Sequence, residues 1–201
     1  MGYDLYGLNP NNPNNAVKPE HFDWNDKTIT SENKDEYYEA IAKYESEVVG
    51  SYFRNNVWWW RPLWTFVVSI CDDILNADDI NGGHENGGHK ISKTKSKRIA
   101  ARIRKMDKTK VLEGYEKQIK GIVDKATEHN KKVQLEMDAI NEACHKEHGN
   151  DIVPMNYPEP YKKKWNDAYA KQDWAGYYPF DADNAREFAK FCDNSGGFEI
   201  C

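Results

Sequence analysis

The chain has 201 residues, with 28 Lys/Arg against 33 Asp/Glu and an aromatic content of 13%, and its mean hydropathy is −0.93. That length suits one domain with an appended arm, and the low hydropathy predicts a small core of Trp, Tyr and Phe, each able to bury roughly 150–250 Å². The most apolar run, Leu63–Cys71, covers nine residues, short of the ~20 a membrane helix needs, and MGYDLYGLNPNNPNN lacks the regions of a secretory signal, so a cytoplasmic protein with no membrane partner is expected.

Cys71, Cys144, Cys192 and Cys201 lie far apart with no CxxC pair, which points to reduced thiols and neither a disulfide framework nor a zinc cluster. The net charge of −5 conceals an asymmetry. Residues 90–133 hold 15 Lys/Arg against 5 Asp/Glu, a balance of +10, and the remainder holds 13 against 28, a balance of −15. Charge runs on helices are usually solvated faces, so a nucleic-acid partner is not expected from this run.

In chain order, NPNNPNN reads as an irregular lead-in. A first helix starts at Ser31 or Asn33, places Tyr37, Ile41, Tyr44 and Val48 on one face at helical spacing, and stops at Gly50. Pro62 suits the first position of a second helix whose stripe is Leu63, Val67, Ile70, Cys71 and Ile74. DDILNADDINGGHENGGHKIS permits only turns or a short hairpin, and Ser92 caps a helix with Ile99, Ile103 and Met106 inward.

From Asp107 to Gly149 no proline intervenes, and Leu112, Tyr115, Ile119, Ile122, Ala126, His129, Val133, Met137, Ile140 and Cys144 form one narrow apolar seam. The alternative is a break near Gly121 or His129 that folds it into a hairpin. His129 in the seam suits a polar position that selects register. An uncovered seam of this length would favour a homo-oligomer. Between Gly149 and Asp181, four prolines and eight aromatics suggest short helices; Asp181 or Asp183 caps a last helix ended by Gly196 and Gly197, and FEIC suits a short strand. The expected class is mainly α with little β-structure. Residues 1–106 and 150–201 together would form a compact aromatic helical body, and 107–149 an inserted helical arm.

The candidate sites come from two stretches. In YFRNNVWWWRPLW, three consecutive tryptophans cannot all face one surface. An indole of Trp58, Trp59 or Trp60 can then wall a planar ring while Arg54 or Arg61 holds an anion and Asn55 and Asn56 read a base edge; the competing reading makes all three indoles core. In GGHENGGH, His84 and His89 flank Glu85, and the glycines allow close backbone approach with amides available to an anion; no fixed third ligand for a metal can be named. Asp72–Asp73 and Asp78–Asp79 read as exposed acidic helix ends. No P-loop or GxGxxG fingerprint and no catalytic triad order appears, so neither a cofactor nor a catalytic residue is expected.

GYDLYGLNP and YFRNNVWWWRPLW near the start, CDDIL and the Gly-rich loop ending KIS, and YPFDADNAREFAKFCDNSGGFEIC at the end together resemble a family of small uncharacterised proteins of tailed phages and prophages. Residues 107–165 depart from that family, whose members often carry a cysteine-rich insert there. The resemblance implies a setting, the cytoplasm of an infected bacterium, and a replaceable middle, but no activity. Phage accessory proteins in that setting often counter bacterial defence. The leading expectation is a non-enzymatic protein that binds a small anionic, nucleotide-like ligand and acts as a sponge for an immune signal. The alternative is an interaction module that inhibits a host protein through the arm, and a nucleotide-cleaving enzyme is the third reading.

Overall fold

The computed structural model describes residues 2–20 and 29–201. Among them, short strands β1 (Gly2–Gly7), β2 (Tyr52–Asn56), β3 (His89–Ser92) and β4 (Gly197–Ile200) pair antiparallel in the order β2–β1–β4–β3. Tyr3 lies opposite Asn55, Leu5 opposite both Phe53 and Ile200, and Ile91 opposite Phe198. Directly opposed residues share a sheet face, so these form one inner face, on which Leu5, Ile91, Phe198 and Ile200 are fully buried. Asp4, Arg54, Tyr6, Tyr52, Glu199 and Lys90 alternate onto the outer face.

The helices are α1 (Ser31–Glu47), α2 (Val57–Ile70), α3 (Ala77–Gly82), α4 (Lys93–Lys108), α5 (Val111–His148), α6 (Tyr161–Tyr169) and α7 (Ala182–Asn194), with 3-10 turns at Pro154–Asn156 and Trp174–Tyr177. The fold is therefore mainly α with aromatic clusters and a small sheet. Two caps follow the side-chain chemistry read from the sequence, Ser92 accepting from Lys95 N and Asp181 from Asn184 N, whereas α1 is capped by Thr30, in a capping box with Asn33, rather than by Ser31 or Asn33.

Two helices differ from expectation. Helix α2 begins at Val57, five residues before Pro62, because Asn56 rather than the proline sets its start. Pro62 thus sits inside the helix, where it cannot donate to the carbonyl of Trp58, a loss worth ~3 kcal/mol. Burial of Trp60, Leu63, Trp64, Phe66 and Val67 along the same helix offsets it, at roughly 1.5–3 kcal/mol for each large apolar side chain. The second difference is α3, a helix where only turns were expected. It forms because Asn76 and Asp79 cap one another reciprocally.

The chain divides into two compact units, Met1–Gly114 with Asp181–Cys201, and Tyr115–Phe180. In the first, α4 and α7 lie against the sheet's inner face: Ile99, Ala100, Ile103, Phe188, Ala189, Phe191 and Cys192 are buried, and Phe53 meets Phe188 and Phe191 at 5.3 and 5.6 Å. Ser96 donates to the carbonyl of Cys192 at 2.7 Å, joining the two helices inside the core. Burial holds the Cys71 thiol up at about 12; Cys144 and Cys192 are also buried, and Cys201 is partly exposed.

The second unit takes in most of the expected arm together with residues 150–180. Helix α5 is continuous through Gly121 and His129, so the hairpin alternative does not form. Val133 and Met137 pack with Ala168, Ile140 and Trp165, while His129 Nε2 lies 2.8 Å from the Lys171 carbonyl and Asn130 Nδ2 donates to the Asp173 carbonyl at 2.9 Å. Of the seam, Ala126, Val133, Met137 and Cys144 are buried within the chain, while Ile122 stays 44% exposed and His129 is exposed. No helix of the described residues is long and apolar enough to cross a membrane.

Candidate functional site

Strand β2 runs into α2 without a loop, and Asn56 is the hinge. Its Oδ1 accepts from the backbone N–H groups of Trp58 and Trp59 at 3.0 and 3.1 Å, satisfying two of the amides a helix start leaves unpaired. From this fixed turn the three indoles fan out at about 100° per residue. Trp60 turns inward and is fully buried, whereas Trp58 and Trp59 keep 40% and 36% of their surface.

Trp60 is the centre of an aromatic stack. Its ring lies 5.5 Å from Tyr3 and 5.4 Å from Trp64, near parallel to both, with Phe188 edge-on at 5.6 Å. The polar edges of this stack all point at one loop. Trp60 Nε1 donates to the Gly83 carbonyl at 2.7 Å, Trp64 Nε1 to the Ile80 carbonyl at 3.1 Å, and the Tyr3 hydroxyl to the His84 carbonyl at 2.6 Å. Three aromatic donors therefore hold residues 80–84, which accounts for a Gly-rich loop that is ordered.

The glycines serve close approach, as the sequence suggested, but the groups that approach are the protein's own. A Cβ on Gly83 would fall 1.9 Å from the Trp64 indole, and one on Gly82 would fall 2.3 Å from the His89 ring. Four of the loop amides are taken up within the chain. Those of Gly83, His84, Glu85 and Gly88 already donate to the carbonyls of Asp79, Asn81, Gly82 and Ile200.

Beneath the loop lies a polar group that the sequence misplaced. Asp79, expected on an exposed acidic helix end, is only 4% exposed. Its carboxylate accepts from Asn76 N at 2.9 Å, meets His89 Nε2 at 3.2 Å, and takes a hydrogen bond from the Lys95 ammonium. Burial pushes its pKa up, but Lys95, the Asn76 amide and His89 outweigh that and hold the carboxyl below its ordinary range. His89 forms one wall of an open cleft of about 340 Å³ with Asp78, Asn81, Gly82, Glu85, Gly87 and Gly88. The two carboxylates in that lining make it a poor home for an anion.

Comparisons with protein-family models, curated proteins and solved structures give no match. The geometry alone sorts the candidate residues. Arg54 lies on the outer sheet face with Nε 3.4 Å from Asp4, away from the stack. Asn55 Nδ2 donates to Asn184 Oδ1 at 3.1 Å, and the Asn56 side-chain oxygen caps α2. His89 belongs to the buried Asp79 group. What remains together is the exposed pair Trp58–Trp59, Arg61 one turn on from Trp58, and His84, whose pKa is lowered first by burial and then by the Arg61 charge. Among the described residues, no group of three or more His, Cys, Asp or Glu is placed to hold a metal ion. Lys95 and Tyr3 carried no sequence signal; Asp79 did, in the three-residue spacing Asn76-Ala-Asp-Asp79 of a capping box.

Proposed function

We propose that the protein is a non-enzymatic binder of a small anionic, nucleotide-like ligand, held at the surface of Trp58, Trp59, Arg61 and His84. The observation that supports this reading is the division of the tryptophans: one is consumed by the core, and two expose indole surface on a turn rigidly fixed by Asn56 and by the stack below. A base stacked on an exposed aromatic gains roughly 1–3 kcal/mol, and Arg61 supplies a permanent charge for a phosphate. On the resemblance to phage proteins, the ligand would be a nucleotide signal of bacterial immunity and the role a sponge. Incubation with a nucleotide panel, followed by mass spectrometry of what the protein releases, tests the reading. Intact nucleotide supports it, and altered nucleotide would mean an enzyme.

A second reading has its own observation. In the 115–180 unit, the rings of Trp165, Tyr169, Trp174 and Tyr177 follow one another at 5.1, 5.8 and 5.7 Å, and the last three stay 40% or more exposed. Such a row suits a protein partner, and a panel from which nothing binds favours it.

Arg61→Ala should weaken nucleotide binding roughly 10- to 150-fold, the equivalent of ~1.5–3 kcal/mol for a charged hydrogen bond, whereas Arg54→Ala should leave it unchanged. Because His84 titrates below its ordinary value, it is neutral at pH 7 and gains charge only as the pH falls. Affinity for an anion should therefore rise as the pH falls below the ordinary imidazole range, and His84→Ala should flatten that rise. Calorimetry across the pH range checks both.

A further inference from the structure

The basic helix α4 carries eight Lys/Arg and one acidic residue, Asp107, and the structure sorts these cations into two sets. Arg98 and Arg102 pair with Asp73, Arg104 with Asp193, and Lys95 with Asp79. Lys93, Lys97, Lys105 and Lys108 have no ion pair among the described residues, and all four are exposed. With Ser96, Ile99, Ala100 and Ile103 buried, the opposite side of the helix faces outward. At about 100° per residue, Lys97, Ala101, Lys105 and Lys108 fall within an arc of roughly 80° on that side, with Thr94 among them and Lys93 at the edge.

That arc contains no carboxylate. Asp107 points the other way, into Arg186 at 2.7 Å. Lys93–Lys97 and Lys105–Lys108 are like-charged neighbours at i+4 and i+3, each mildly destabilising, and no ion pair within the described residues compensates them. The run from Lys97 to Lys108 is straight and roughly 16 Å long at about 1.5 Å per residue. Ala101 fills its gap and Thr94 lies just before it, so the row lacks the large apolar side chains that seat an interfacial helix in a bilayer.

We infer that the outward face of α4 is an electrostatic docking surface for the phosphate backbone of a nucleic-acid duplex, with Lys97, Lys105 and Lys108 as its contacts. A duplex carries one charge per about 1.7 Å of axis, so a short straight row of unpaired ammonium groups meets several phosphates without needing base contacts. The recognition is of backbone charge and carries no sequence preference. This surface is separate from the Trp58–Arg61 turn and does not depend on the nucleotide reading.

Fluorescence anisotropy of the full chain with a labelled duplex of about 20 base pairs, long against the stripe at about 3.4 Å per base pair, tests it. Three phosphate contacts give a slope of log K on log salt near −3, so affinity should fall roughly 40-fold between about 50 and 200 mM salt. Lys97→Gln with Lys105→Gln and Lys108→Gln should abolish binding, and each single variant should lower the slope by about 1. A melt of the triple variant that matches the parent shows that the fold is intact. Retention of binding by the triple variant, absence of binding at about 50 mM salt, or tighter binding to phosphatidylserine vesicles than to duplex would each overturn the inference.

Discussion

Trp60→Ala should lower the stability of the unit formed by residues 2–114 and 181–201 by about 3–5 kcal/mol, the range for deleting a large buried aromatic. The loss has three sources. The indole is fully buried; it is stacked between Tyr3 and Trp64, with Phe188 against its edge; and its N–H is the donor for the Gly83 carbonyl, which burial would leave unsatisfied. At roughly 2–4 °C per kcal/mol for a chain of this size, the melt should shift by about 6–20 °C. Hydrogen exchange should also show a local effect. The amides of Gly83, His84 and Glu85 should lose protection at temperatures where the parent loop stays closed, since Trp60 is one of three donors holding it.

Asp79→Ala has the next largest expected effect, at about 3 kcal/mol. Removing one partner of a buried ion pair typically costs 3–5 kcal/mol because the other charge stays behind; here Lys95 keeps 28% side-chain exposure, so water can take up part of the loss. Asp79→Asn should cost less, because it keeps an oxygen for the Asn76 amide. The parent should also show an acid dependence that the Asn variant lacks. The folded carboxylate titrates below its ordinary ~3.9, so the unfolded chain binds the proton first. The stabilisation is complete above that pH and is lost as the pH falls through the lower, folded value. Urea midpoints measured between neutral and acid pH for both proteins check the sign.

The helices were legible because their signals are local. Ser92 and Asp181 cap the helices that the apolar spacing follows; the 3–4 pattern after Lys110 gave the long helix but left open a hairpin broken near Gly121 or His129, which the structure does not form. The sheet was not legible beyond its last strand. GYDLYG and YFRNN are short and carry little hydrophobic alternation, and they become strands by pairing with each other at long sequence separation. Pro62 misdirected the start of α2 because a proline is usually tolerated only in a first turn, and here the burial of two indoles on the same helix overrides that preference. Asp79 illustrates the limit of composition. Two adjacent aspartates at a helix start differ in fate because only one reaches back to its cap and inward to Lys95.

The tryptophan run was legible as a contradiction rather than as a site. Adjacent residues on a helix cannot share a face, so at least one indole had to differ from the others; which one was settled by Tyr3 and Gly83, neither of which the run itself contains. The proposed ligand surface comprises Trp58, Trp59, Arg61 and His84, all exposed, while Arg54 lies apart on the outer sheet face. The most direct test is a paired measurement on Trp58→Ala and Trp59→Ala: a thermal melt, and a calorimetric titration with the nucleotide that the parent binds best from the panel. The expected result is a melt within a few degrees of the parent, with affinity for that nucleotide reduced roughly 5- to 150-fold in at least one variant, as the loss of about 1–3 kcal/mol of stacking requires. Both variants melting as early as Trp60→Ala while nucleotide binding is absent or unchanged would contradict it, and would make all three tryptophans structural.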